Sequence, residues 1–240
     1  MENFIQEFSR VMLENNRFDF IITGLKNTFL ITLGSLALGI LLGVIVAIIR
    51  STYDKNKDHF KKNGGISYFI LSVLNGICKI YLTVIRGTPV VVQLMIFYFI
   101  IFTSTDNGVA IATFAFGINS GAYVAEIFRS GIMAIDHGQF EAGRSLGLNY
   151  VQTMIYIIVP QMFKVVLPTL CNEFIVLLKE TSVAGYVGVI DLTKAGNTIA
   201  GRTFSYFIPL ITVAIIYLIV VMILTKLVAI LERRLRNSDH

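Results

Sequence analysis

The chain has 240 residues, of which 55% are hydrophobic and 15% charged, with a net charge of +5 and a mean hydropathy of +0.74. That apolar share exceeds an ordinary soluble domain's, and it is gathered into runs near the roughly 20 residues needed to cross a hydrocarbon core of about 30 Å. A soluble class is excluded, and so is a nucleic-acid binder, because the basic residues cluster at the ends of apolar runs and form no single stripe.

The first run, residues 28–49, follows a start carrying Glu2, Glu7, Glu14 and Asp19. It is too long for a signal-peptide core of about 7 to 15 residues and is expected to stay as a span. Residues 50–65, with Lys55, Lys57, Lys61 and Lys62, lack periodicity and read as a cytoplasmic loop. The stretch 66–103 is too long for one span and is interrupted by Lys79, Arg86 and Pro89. Residues 66–85 read as an amphipathic or interfacial helix, and 89–102 as a span opening where proline suits a first helical turn.

A short polar patch, 103–108, makes the helix over 109–133 an antiparallel neighbour. A polar interval at 136–149 then leads to the run 150–178, whose Pro160 and Pro168 predict kinks or a re-entrant start. Residues 179–205 are polar with several glycines, and 206–230 form the last span before Glu232, Arg233, Arg234 and Arg236. The expected fold is all-α: a polytopic membrane protein with about five spans, forming one transmembrane domain over 1–240.

An odd number of spans puts the termini on opposite sides. With the N-terminus outside, Arg10, Arg17, Lys26, Lys179, Lys194 and Arg202 lie outside, and the other fourteen of the twenty Lys and Arg lie inside. The excess of positive charge inside favours this orientation, with 136–149 and the C-terminus in the cytoplasm. Cys78 and Cys171 are far apart, without C-x-x-C or a nearby His, and read as inert packing residues. No fixed-period repeat or duplicated half is visible, against the common secondary-carrier designs. The three histidines, His59, His137 and His240, lie in loops or at the end, and no H-E-x-x-H or G-x-S-x-G occurs, against a membrane enzyme.

Ionisable residues inside spans cost about 2.5 to 3.5 kcal/mol each on insertion scales, which makes them functional candidates. Glu126 lies within the helix over 109–133 and has Arg129 one turn on. Either the two pair while Arg129 reaches the headgroups, or Glu126 holds a cargo ammonium. Lys179 and Glu180 point in different directions on a helix, so they can divide a zwitterion's carboxylate and ammonium between them, with Thr181 and Ser182 adding hydroxyls. The alternative is a solvated pair at a span end. Arg86 is either a phosphate-interface anchor or a residue under the translocation path. The G-x-x-x-G pairs Gly39/Gly43 and Gly117/Gly121 permit close helix contact.

The most informative stretch is Glu141-Ala142-Gly143-Arg144-Ser145-Leu146-Gly147, nine residues, then Ile157-Ile158-Val159-Pro160. It offers a short helix with small residues, a glycine to stop it and a span beyond. Ala142, Gly143 and Gly147 allow a partner's close approach and Glu141 orients it, though an ordinary helix-loop connection has the same elements. Gly138 to Ser145 is one residue from a P-loop, but Arg144 replaces the phosphate-reaching Lys and no strand-to-helix context surrounds it, so the chain carries no nucleotide site.

This stretch resembles the signature of binding-protein-dependent ABC permeases: Glu-Ala-Ala, three residues, Gly, nine residues, Ile, any residue, an aliphatic residue, Pro. Gly143 stands for the second Ala. Arg86-Gly87-Thr88-Pro89 with Gln93 and Leu94, Ala122 to Arg129, and Leu178-Lys179-Glu180-Thr181-Ser182 are similar, in order, to the polar amino acid permeases of the histidine, glutamine and arginine type. The resemblance implies a type I ABC importer permease whose coupling segment, 136–160, docks a separate ATPase through Glu141, Ala142, Gly143, Arg144, Leu146 and Gly147. It implies no cofactor in this chain and ATP-Mg on two partner ATPase subunits. The further partners it implies are a second permease copy or paralogue, an extracytoplasmic amino acid-binding protein and membrane lipid. A permease for methionine, an opine or another small solute, and an ion-coupled carrier using Glu126 and Lys179 as a relay, are the competing readings.

Overall fold

The structure, a computed structural model, describes residues 2–62 and 65–237, and side chains outside 1–4, 55–64, 67 and 236–240. The side chains of Glu2, Lys55, Lys57, His59, Lys61, Lys62, Arg236 and His240, used in the sequence reading, therefore lie outside the described residues. The α-helices in order are α1 (Glu2–Phe8), α2 (Phe18–Lys62), α3 (Ile66–Gly87), α4 (Val90–Ile96), α5 (Gly108–Met133), α6 (His137–Ser145), α7 (Tyr150–Thr153), α8 (Val159–Glu180), α9 (Leu192–Thr203) and α10 (Phe207–Asn237). Among the described residues there is no strand.

Five segments are long and apolar enough to cross a membrane: Phe18–Asp54, Tyr68–Gly87, Gly108–Met133, Tyr150–Val187 and Phe207–Leu235. They leave large side chains such as Leu33, Leu41, Ile45, Leu218 and Ile223 exposed, the surface a lipid solvent requires. The count of five agrees with the sequence, but the second span is Tyr68–Gly87 in place of 89–102, and three boundaries differ. The loop expected over 50–65 is helical to Lys62, because its Lys, Asp and Asn residues continue an existing helix at little cost. The span expected over 89–102 is a seven-residue α4 continued by a wide π turn, Phe97–Ile101. The polar stretch 179–205 contains α9, begun by Asp191, whose carboxylate accepts from the amides of Thr193 and Lys194.

The described chain forms two compact units. The first, Met1–Ala37, Pro89–Gly117 and Phe174–Ala229, has one core around Phe116, Leu94, Ile31 and Leu177 and another around Met12, Ile21, Leu192 and Ile199. The Thr28 hydroxyl accepts from the amide of Leu192 at 3.1 Å. Asn27 donates to the Ile190 carbonyl at 2.9 Å. These two bonds fix the turn before α9 against α2.

The second unit, Leu38–Thr88, Ile118–Glu173 and Ile230–His240, is organised by glycines. A Cβ on Gly39 would lie 3.0 Å from the Ser120 Oγ, and one on Gly43 2.6 Å from the Val124 Cγ1, so α2 and α5 run side by side in the same direction. Only hydrogen in place of a side chain allows that approach. Of the second G-x-x-x-G pair, Gly121 sits under the Tyr81 hydroxyl, 2.8 Å from where its Cβ would be.

Helix α3 crosses this pair obliquely. Tyr68 stacks on Tyr53 with ring centroids 6.4 Å apart. Eighteen residues later, about 27 Å at 1.5 Å per residue, Arg86 lies against Tyr123 and Glu126. Those residues are abreast of about residue 44 of α2, which is only about 14 Å along that helix from Tyr53. Helix α3, expected over 66–85 as an amphipathic or interfacial helix, is instead one of the five segments long and apolar enough to span, and it crosses α2 and α5 obliquely. Its buried face, Asn75, Cys78 and Leu82, recurs at helical spacing.

Candidate functional site

The coupling segment begins at Asp136, which caps α6 by accepting from the Gly138 amide, 2.6 Å away. The helix ends as the sequence suggests, on a glycine. Gly147 has φ +81°, and the amides of Gly147 and Leu148 donate to the carbonyls of Arg144 and Gly143 at 2.9 and 3.1 Å. Asn149 then opens α7 with a reciprocal box, its side chain accepting from the Gln152 amide while Gln152 accepts from its own. Two capped helix ends within a dozen residues make the elbow between α6 and α7 a fixed shape.

One face of this elbow is turned inward and the other outward. Gly143 is buried, and a Cβ there would meet the Thr153 methyl at 2.7 Å and the Ile157 Cδ1 at 3.0 Å. The reading of Gly143 as part of a partner-facing surface is corrected accordingly: its small size serves the packing of α6 on the following π turn, Met154–Ile158. Glu141, Ala142, Arg144 and Gly147 are exposed, and so is Leu146, 78% accessible at the tip of the elbow. Glu141 is paired, among the described residues, with His137, 3.2 Å away and itself exposed. The π turn sits just before Pro160, where the widened helix accommodates a residue without an amide proton.

Of the residues expected to meet cargo, Arg86, Glu126 and Arg129 come together in the second unit. Glu126 lies 3.2 Å from the Arg129 guanidinium and 4.0 Å from that of Arg86, and Arg129 also approaches Asp54 at 3.9 Å. The Glu126 charge is therefore already matched, which favours the pairing alternative over an open ammonium site. Lys179, Glu180, Thr181 and Ser182 belong to the first unit, where α8 passes into a 3₁₀ turn, Thr181–Val187. Lys179 is exposed and Glu180 half-buried. Thr181 is fully buried and its hydroxyl donates to the Leu178 carbonyl at 2.8 Å, so the expectation that it bonds cargo is corrected: it closes the end of α8.

Sequence reasoning missed Glu173. This carboxylate lies inside the candidate span Tyr150–Val187 and accepts from the Ser120 hydroxyl at 3.0 Å. An acid at the middle of an apolar run was itself the signal, given what it costs to bury there. Outside the spans, the most perturbed acid is Asp191, where burial pushes the carboxyl above its ordinary value while the α9 amides pull the other way. Among the described residues no His, Cys, Asp or Glu cluster is suited to a metal ion.

The family described as "Binding-protein-dependent transport system inner membrane component" matches residues 63–237. The chain is 36% identical over 224 residues to the arginine transport system permease protein ArtQ of Bacillus subtilis, covering 92% of this chain and 94% of that protein. It is 34% identical over 223 residues to the putative glutamine transport system permease protein GlnP of Rickettsia bellii, covering 90% and 93%. Among solved structures, an amino acid ABC transporter crystallised with histidines superposes with a TM-score of 0.78 at 36% identity, covering 90% of this chain and 94% of that one. The MetNI methionine ABC transporter in its inward-facing form superposes at 0.75 with 18% identity, covering 92% and 99%, a likeness of fold alone.

Proposed function

The chain belongs to the family of binding-protein-dependent transport inner membrane components, and on that premise we propose that it is the permease subunit of an ATP-driven importer of polar amino acids. The observation that carries this is the elbow at residues 136–160: a doubly capped, exposed helix with an apolar tip on a chain whose remaining exposed surface is largely that of membrane spans. Family membership brings an ATPase and a binding protein as partners. The cargo reading rests on the arginine and glutamine systems named for its relatives.

In the proposed assembly two such permeases, identical or paralogous, enclose a pore, and two ATPase subunits carrying ATP-Mg each receive one elbow. The N-terminus lies outside and the C-terminus and elbow in the cytoplasm, which the distribution of Lys and Arg supports. Glu141, Ala142, Arg144, Leu146 and Gly147 make the docking contact. ATP-driven closure of the ATPase pair draws the elbows together and opens the pore outward, hydrolysis resets it, and the drive is the difference in ATP affinity between the two states. Glu173, oriented by Ser120 within the second unit, is the carboxylate offered to a cargo ammonium or guanidinium, and in the first unit Lys179, Glu180 and Ser182 are the polar groups offered to cargo.

Uptake of labelled arginine, glutamine and histidine into proteoliposomes holding the permease, its ATPase and its binding protein tests this. ATP-dependent uptake that falls on Glu173→Gln, with the complex still assembled, supports the reading. Uptake that ignores ATP and follows an imposed proton gradient replaces it with the ion-coupled carrier. Uptake of methionine alone keeps the importer and changes the cargo.

A further inference from the structure

The second unit contains a cavity of about 450 Å³ lined by Arg50, Lys79, Leu82, Thr83, Arg86, Gly87 and Glu126. Three cations face one acid, and that acid is already shared with Arg129. Including Arg129 and its partner Asp54, the cluster holds four cations and two anions, an excess of two positive charges around an open space. Among the described residues the Nε of Arg50 is buried with no hydrogen-bond partner, which holds its guanidinium at the cavity wall without an acid of its own.

The cations come from two helices for reasons visible in the sequence. Lys79 and Arg86 are seven apart on α3, two turns along one face, with the Thr83 hydroxyl between them. Arg50 comes from α2, in the stretch that α3 crosses obliquely. Farther round α3, more than a quarter turn from Lys79 and Arg86, Ile77, Ile80 and Val84 are 58%, 66% and 52% accessible. A cationic cavity on a helix whose lipid-length apolar surface is also exposed suits a molecule with an anionic head and hydrocarbon chains that wrap round the helix.

We propose that this cavity holds the phosphate of an anionic phospholipid headgroup, gripped by Arg50, Lys79 and Arg86, with the acyl chains along Ile77, Ile80 and Val84. Guanidinium groups match the paired oxygens of a phosphate, and Lys79 and Thr83 add single donors. The phosphate offsets the charge excess of the cluster. Anchored there, the lipid braces α3 across α2 and α5, so the proposal concerns this cluster and does not rest on the cargo reading.

The test uses the permease–ATPase complex in mild detergent, with lipid retention read by native mass spectrometry for phosphatidylglycerol against phosphatidylcholine of the same chains. The expected result is selective retention of phosphatidylglycerol. Lys79→Gln lowers it by roughly fivefold, the weight of one basic charge at a lipid surface, Lys79→Arg restores it, and Lys226→Gln leaves it unchanged. Co-recovery of the ATPase reports that each variant is folded. Binding of inorganic phosphate at millimolar concentration, lost in Lys79→Gln, without preference between the lipids keeps the phosphate site and assigns it to the free anion. Equal retention of both lipids in wild type and Lys79→Gln, with no effect of phosphate, overturns the proposal, as does displacement of the lipid by arginine or glutamine.

Discussion

Gly143→Ala is the most revealing substitution, because two effects of known sign oppose each other at one methyl group. In an isolated helix, Ala in place of Gly gains about 1 kcal/mol. In this structure the new Cβ would sit 2.7 Å from the Thr153 methyl and 3.0 Å from both the Thr153 hydroxyl and the Ile157 Cδ1. Ile157 can swing its terminal carbon aside, but Thr153 is β-branched, and its hydroxyl is held by the Asn149 carbonyl at 3.0 Å. Overpacking of this kind costs about 1 to 3 kcal/mol, so the net effect is a loss of up to about 2 kcal/mol. The double variant with Thr153→Ser removes the obstructing methyl, keeps the hydroxyl bond, and recovers most of the helix gain. Thermal unfolding of the purified complex, with elbow mobility followed by hydrogen exchange over 136–160, measures both. A single Gly143→Ala variant that is more stable than wild type, with no further gain from Thr153→Ser, refutes the inward packing of Gly143.

Other perturbations test the helix contacts and the charged groups. Gly43→Ala drives a methyl to 2.8 Å from the Ala125 backbone nitrogen, which cannot rotate away, and is expected to lower stability by about 2 kcal/mol in an unfolding assay. Asp191→Ala removes the acceptor for two α9 amides, with an expected cost of about 1 to 2 kcal/mol, and Asp191→Asn a smaller one. Because burial raises the Asp191 carboxyl, the native state takes up a proton before the unfolded chain does. Its contribution is present below the ordinary carboxylate range near pH 4 and lost as pH rises through the raised value. Stability profiles of wild type and Asp191→Asn should therefore diverge as pH rises over that window. Glu126→Gln leaves two guanidiniums facing each other without their shared acid, so basal and cargo-stimulated ATP hydrolysis should fall together. A selective fall in the stimulated rate would restore Glu126 as a cargo ligand.

The elbow was legible because its limits are set locally. Asp136, Gly147 and Asn149 act on backbone groups within a few residues, so residue type and spacing suffice. The G-x-x-x-G reading of Gly39 and Gly43 held for the same kind of reason, a missing side chain where two backbones approach. What the sequence did not yield depends on distant partners. The inward turn of Gly143 requires Thr153 and Ile157, ten and fourteen residues on, folded back over it. The obliquity of α3 follows from its seating on Gly121 and Tyr123 of α5, and the Arg86–Glu126 pair spans forty residues of chain. Helix α9 was passed over although Asp191 caps it and Leu192, Ala195 and Ile199 recur on one face, because its polar average masked that period. Glu173 was hidden for the opposite reason, one acid within an apolar run, its partner Ser120 fifty-three residues earlier.

Recovery of the ATPase with a tagged copy of this chain, compared between wild type and Leu146→Asp, tests the central claim most directly. The Leu146 side chain is the apolar tip of the elbow, 78% accessible, and its backbone cap bonds do not depend on side-chain type, so the substitution leaves the permease folded. The account predicts a P-loop ATPase recovered with wild type and lost with Leu146→Asp, together with loss of ATP-driven uptake. Undiminished recovery and uptake in that variant would contradict it.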